Sequence, residues 1–140
     1  MNRKRRTEIL LKSPRELAEK LGQEILINYP VKSIEEPNNG LVMLKVRETA
    51  KRQLFYLGEV FITECKVMID GHLGIGIVKG HEPEFAFNLA VIDSAFNADL
   101  QETKEWIKVL THEENAIKQN EEELKGKILK TKVNFEMMNI

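Results

Sequence analysis

From Tyr29 to Gly80 the apolar residues alternate with period two, and on both sides of that stretch they recur at helical spacing. Alternate residues of a strand face opposite ways, so Leu41, Met43 and Lys45 share one face while Val42, Leu44 and Val46 share the other. Phe61, Thr63, Cys65, Val67 and Ile69 likewise oppose Ile62, Glu64, Lys66 and Met68. Turn chemistry at Pro37-Asn38-Asn39-Gly40 and at Asp70-Gly71 cuts the stretch into strands joined by hairpins, which makes them antiparallel. About four strands are predicted, with a bend or bulge at Gly58. Alternation over Lys132-Val133-Asn134-Phe135-Glu136-Met137 adds one more, either pairing with the sheet or lying on a partner as an extended arm. The predicted class is α+β, an antiparallel sheet of about four to five strands flanked by N-terminal and C-terminal helices.

The flanking periods place the helices. Arg3 to Leu11 reads as a short helix stopping at Ser13-Pro14, and Leu17, Leu21 and Ile25 mark the apolar face of a second. Glu82 to Leu100 is the strongest helix, with Phe85, Leu89, Ile92, Phe96 and Leu100 on one line that is assigned to the chain's own sheet. Phe87, Val91 and Ala98 are apolar on the far side, and a helix apolar nearly all round needs cover on more than one face. Ala86 and Ala90, beside Asp93 and Asn97, form a lane of small residues where another backbone could approach and donate hydrogen bonds. Phe87, Val91, Ala86 and Ala90 are therefore the expected partner face, with self-association expected when the chain is alone. Thr111-His112-Glu113-Glu114 has capping-box spacing, so a last helix is predicted to start there and to carry Ile117, Leu124 and Ile128.

With 140 residues the chain suits a single domain, 1–140. Twenty-one Lys and Arg against twenty-two Asp and Glu give a net charge of −1, which supplies no field for holding a polyanion and argues against a nucleic-acid binder. No run approaches the ~20 apolar residues of a membrane span, and no cleavable leader follows the basic start, so a cytoplasmic protein is expected. Cys65 is the single cysteine; in an apolar alternating run it reads as a buried, inert thiol.

Motifs for chemistry are sparse. The glycines of Gly71 to Gly80 lack the spacing of a dinucleotide fingerprint and the Gly-Lys-Ser/Thr close of a P-loop. They read as a hairpin turn and a glycine-containing strand, the alternative being backbone approached by a ligand or another chain. His72, His81 and His112 read as turn histidines, no convergent metal ligands are expected, and no cofactor is implied. Asp93 stands among apolar neighbours and wants a donor, from within the fold or from another subunit. Glu59, Thr63 and Glu64 near the Gly58 bend line either a pocket or a half-solvated sheet face. The Arg3 to Arg6 run is either a solvated helix end or a phosphate contact.

The ordered set Leu54-Phe55-Tyr56-Leu57-Gly58-Glu59, Thr63-Glu64, Gly71, Gly74, Gly80, Ala86, Ala90 and Ile92-Asp93-Ser94-Ala95, closed by Thr131-Lys132-Val133-Asn134-Phe135, resembles the PhnG subunits of the carbon–phosphorus lyase system over nearly the whole chain. Glu59 stands where relatives can have Asp, which keeps the charge, and Arg6 stands where an aromatic can sit. The resemblance implies a small subunit working with PhnH, PhnI and PhnL to transfer ribose 5-triphosphate from ATP to an alkylphosphonate, with release of adenine. It also implies a core complex with PhnI and PhnJ. Within it, Glu59, Thr63, Glu64 and Asp93 are candidates for substrate or subunit contact. The alternatives are a purely structural scaffold and a small stand-alone enzyme.

Overall fold

The computed structural model describes residues 1–138, with side chains through Val133. The described elements are α1 (Arg3–Lys12), α2 (Arg15–Asn28), β1 (Lys32–Arg47), β2 (Leu54–Ile69), β3 (His72–Lys79), α3 (Pro83–Asn97) and α4 (Glu102–Met138). The class is α+β, with an antiparallel sheet in the order β1-β2-β3. Among the described residues it has three strands, not four or five.

Two physical effects account for the difference. Pro37-Asn38-Asn39-Gly40 is not a turn: β1 runs through it with register shifts between Ser33 and Asn38. β1 pairs on one side only, so Pro37 costs no ladder bond that a second neighbour would need. Asn38 makes its turn-like bonds inside the irregular stretch, its Nδ2 donating to Glu35 Oε1 at 2.8 Å and to the Glu36 carbonyl at 3.0 Å. At the other end, Lys132 to Met137 is helical. A helix propagating from Glu102 gains a backbone bond at every residue, and six alternating side chains do not outweigh it. Thr111 lies inside the same helix, its Oγ1 bonded back to the Ile107 carbonyl at 2.7 Å, so the capping-box spacing there marks no start.

The chain divides into two compact units, Arg15–Thr103 and Met1–Pro14 with Lys104–Ile140. In the first, α3 lies on the sheet. Asp70 and Gly71 both take left-handed backbone, with φ of 51° and 78°, as a two-residue hairpin loop requires. Gly74 and Gly76 then expose bare backbone to α3: a Cβ on Gly76 would overlap the Ala86 carbonyl, and one on Gly74 the Ala90 carbonyl. β2 skips Leu57 in its pairing, between Leu44↔Gly58 and Lys45↔Tyr56, which is the irregularity expected at Gly58.

In the second unit, Arg5 reaches Glu114 by two bonds of 2.9 and 2.7 Å, and Lys12 reaches Glu121 at 2.9 Å. Seven residues separate the partners on each helix, so α1 and α4 run parallel here. Arg5 is thus an ion-pair partner and Arg6 is buried, while Leu124, Ile128, Leu129 and Val133 farther along α4 are exposed.

Candidate functional site

The small-residue lane of α3 is in use. Asp93, 6% exposed, accepts a hydrogen bond from the Ile75 backbone N–H at 2.9 Å. Ser94 Oγ donates to the His72 carbonyl at 2.7 Å and accepts from the Ile69 N–H at 3.0 Å, and Asn97 Nδ2 donates to the Leu73 carbonyl at 2.7 Å. The backbone that approaches this lane is the chain's own β2–β3 hairpin. Ala86, Ala90 and Val91 are each fully buried, and Phe87 is half-buried. The face laid on the strands is therefore Ala86, Ala90, Asp93, Ser94 and Asn97, and not the Phe85 line to which helical spacing alone assigns the sheet.

Thr63 is buried and ties three segments together where α3 begins. Its Oγ1 donates to the Gly80 carbonyl at 2.6 Å, accepts from the Glu82 N–H at 3.1 Å and lies 3.3 Å from Asn39 Oδ1. Asn39 Oδ1 is also 3.0 Å from His81 Nδ1. Glu82 pairs with Arg15, Nε to Oε1 at 2.9 Å, and this guanidinium holds the Glu82 carboxyl below its ordinary value. The same guanidinium stacks 3.8 Å over the Phe85 ring.

Beside this junction a groove runs between α2 and α3. Its larger hollow, about 440 Å³, is lined by Gln23, Leu26, Pro37 and Phe87, and a smaller one by Arg15, Glu82 and Phe85; both share Glu19, Pro83, Glu84 and Asn88. Asn88 was missed from the sequence, although the signal that found Asp93 applies to it equally: a polar residue inside an apolar helix.

Glu59 and Glu64 are not brought to this groove. Glu64, half-buried, lies 3.6 Å from Lys66 Nζ, which also pairs with Glu35 at 3.3 Å. Glu59 stands opposite Met43 on the distal part of the β1–β2 pair. There β3 has ended and the two strands continue alone, with Leu41 63%, Leu54 59% and Leu57 59% exposed and Val42, Leu44, Val46 and Phe55 also open. The Tyr56 hydroxyl on this ribbon is raised above its ordinary pKa, first by desolvation and then by its hydrogen bond with Glu59. Cys65, buried on β2, is pushed up to about 11 by desolvation and then by the Glu35 and Glu36 charges, as expected of an inert thiol. Among the described residues no three metal-ligating side chains converge, and no helix is long and apolar enough to cross a membrane.

A model of the family described as phosphonate metabolism protein PhnG matches residues 1–139. The chain belongs to the PhnG family. No curated protein matches the sequence. PhnG membership gives the chain a role in phosphonate metabolism, and the match spans both compact units.

Proposed function

We propose that this PhnG-family chain is an accessory subunit of the phosphonate-utilisation assembly. It works with PhnH, PhnI and PhnL in transferring ribose 5-triphosphate from ATP to an alkylphosphonate with release of adenine, and with PhnI and PhnJ in a core complex. Residues 1–140 act as one module, in the cytoplasm where ATP is available. The observation that carries the subunit reading is the distal ribbon. A two-stranded hairpin is marginal in water, and this one leaves both faces apolar and uncovered from Leu41 to Val46 and from Leu54 to Leu57. Exposed apolar patches of this kind mark interfaces. Covering a half-exposed side chain of this size gains roughly 1 kcal/mol, so the set together can meet an association cost of about 4 to 15 kcal/mol. Of the sequence candidates, Glu59 on the ribbon is the one best placed to meet a neighbouring subunit or its substrate, while Thr63 and Asp93 fasten α3 to the strands and Glu64 pairs with Lys66, away from the ribbon.

The test is co-expression with PhnH, PhnI, PhnJ and PhnL, followed by an assay of adenine release from ATP and methylphosphonate. The chain is expected to co-purify and to be required for turnover. Replacing Leu54 and Leu57 by Lys is expected to strip it from the complex while its own melting temperature holds. Turnover by the isolated chain, or normal assembly of that double variant, overturns the proposal. With the complex intact, loss of synthesis in Glu59→Gln indicates substrate contact, and retained synthesis indicates a scaffold.

A further inference from the structure

Asn88 is 9% exposed, and its side chain makes no hydrogen bond among the described residues, although it belongs to both hollows of the α2–α3 groove. Among the described residues no buried side-chain oxygen or nitrogen is without a partner, so what Asn88 leaves open is its amide, whose oxygen and nitrogen face the groove unpaired by the chain's own groups. Room for it is kept by Gly22 on α2, where a Cβ would come within 2.6 Å of Asn88 Oδ1. Glu19 and Glu84 flank the same groove and form no ion pair among the described residues. The one cation on the lining, Arg15, is already held by Glu82.

We propose that this groove receives an extended peptide segment of a partner protein that carries a basic side chain. An amide side chain offers one donor face and one acceptor edge, which matches the carbonyl and N–H of a peptide backbone, and Gln23 beside Asn88 repeats that capacity. The carboxylates of Glu19 and Glu84 supply the charge complement of a guanidinium or ammonium group. Leu26, Phe87 and Pro37 accept the aliphatic stem of such a residue. An anionic ligand meets three carboxylates and one spent arginine, so nucleotides and phosphonates are disfavoured in this groove. The groove and the ribbon are separate surfaces, and the groove's occupant is read from its own lining.

The experiment uses the full chain labelled with nitrogen-15 and titrated with acetyl-Leu-Arg-Leu-Arg-Leu-amide, with acetyl-Leu-Glu-Leu-Glu-Leu-amide and ATP as the other arms. Saturable shifts are expected at the Gln23 and Asn88 side-chain amides and at the Glu84 backbone with the arginine peptide alone. The doubly exposed variant Glu19→Gln, Glu84→Gln, which removes no packing, is expected to weaken that binding at least fivefold, and Asn88→Ala at least as much. No shift with the arginine peptide, equal shifts with the glutamate peptide or ATP, or unchanged affinity in the glutamine variant overturns the proposal. Shifts at the same residues on raising protein concentration without peptide also overturn it, because a second copy is then the occupant.

Discussion

Gly76→Ala puts a methyl group where α3 rests on the sheet. The new Cβ would overlap the Ala86 carbonyl and stand 2.7 Å from the Ala90 nitrogen, both backbone atoms that cannot rotate away. Relief requires β3 and α3 to part by about 1 Å, enough to forfeit much of the dispersion well between them. Overpacking of this kind costs about 1 to 3 kcal/mol. Parting also stretches the Asp93 bond to the Ile75 N–H and the Ser94 and Asn97 bonds to the His72 and Leu73 carbonyls. Orphaning one buried polar group costs about 1 to 3 kcal/mol, so the total is roughly 2 to 6 kcal/mol, a large share of the 5 to 15 kcal/mol that holds a typical domain. At about 4 °C per kcal/mol for a chain of this size, the melting temperature should fall by roughly 8 to 24 °C. Urea titration followed by circular dichroism measures the free energy directly. Gly126→Ala is the control: the site is an exposed turn of α4 with nothing within 4 Å, and the same methyl should stabilise by about 0.5 to 1 kcal/mol. If Gly76→Ala unfolds at the same urea concentration as the parent chain, the close approach of strand and helix is not what holds them.

Val91→Asp should unfold the chain, since the side chain is fully buried and a carboxylate there has no route to water; a folded, soluble variant by circular dichroism would contradict this. The Glu114 carboxyl is lowered from 4.5 by its hydrogen bond to Arg5 and then by that charge, so its contribution is present above pH 4.5 and lost as pH falls through the lowered value. Melting temperatures of the parent chain and Glu114→Gln should accordingly converge on acidification below pH 4.5, and a gap that widens would refute the pairing. Native Cys65 should resist iodoacetamide at pH 8 and react at once in denaturant, because burial both hides the thiol and keeps it protonated.

Period and turn chemistry alone determined the class of the fold, the break at Ser13-Pro14, the hairpin at Asp70-Gly71 and the burial of Cys65, because each follows from local backbone preference or from one side chain's own hydrophobicity. Asp93 could be singled out in the same way, since a charge among apolar neighbours must find a donor wherever it sits. Tertiary structure decided what the donor is. Whether Ala86 and Ala90 meet a partner's backbone or the chain's own depends on Gly74 and Gly76, which lie ten or more residues away and are invisible to any window on α3. It likewise decided that Pro37-Asn38 sits within an edge strand, because only the sheet shows that β1 has a neighbour on one side and can absorb the irregularity. The ribbon was legible as alternating strand residues, but its nakedness was not: exposure depends on where β3 stops pairing with β2, at Ile62 and Lys79, and no residue of the ribbon itself records that. Asn88 and Gly22 show the same limit, for an unpartnered amide and the space kept for it exist only once two helices distant in the chain lie side by side.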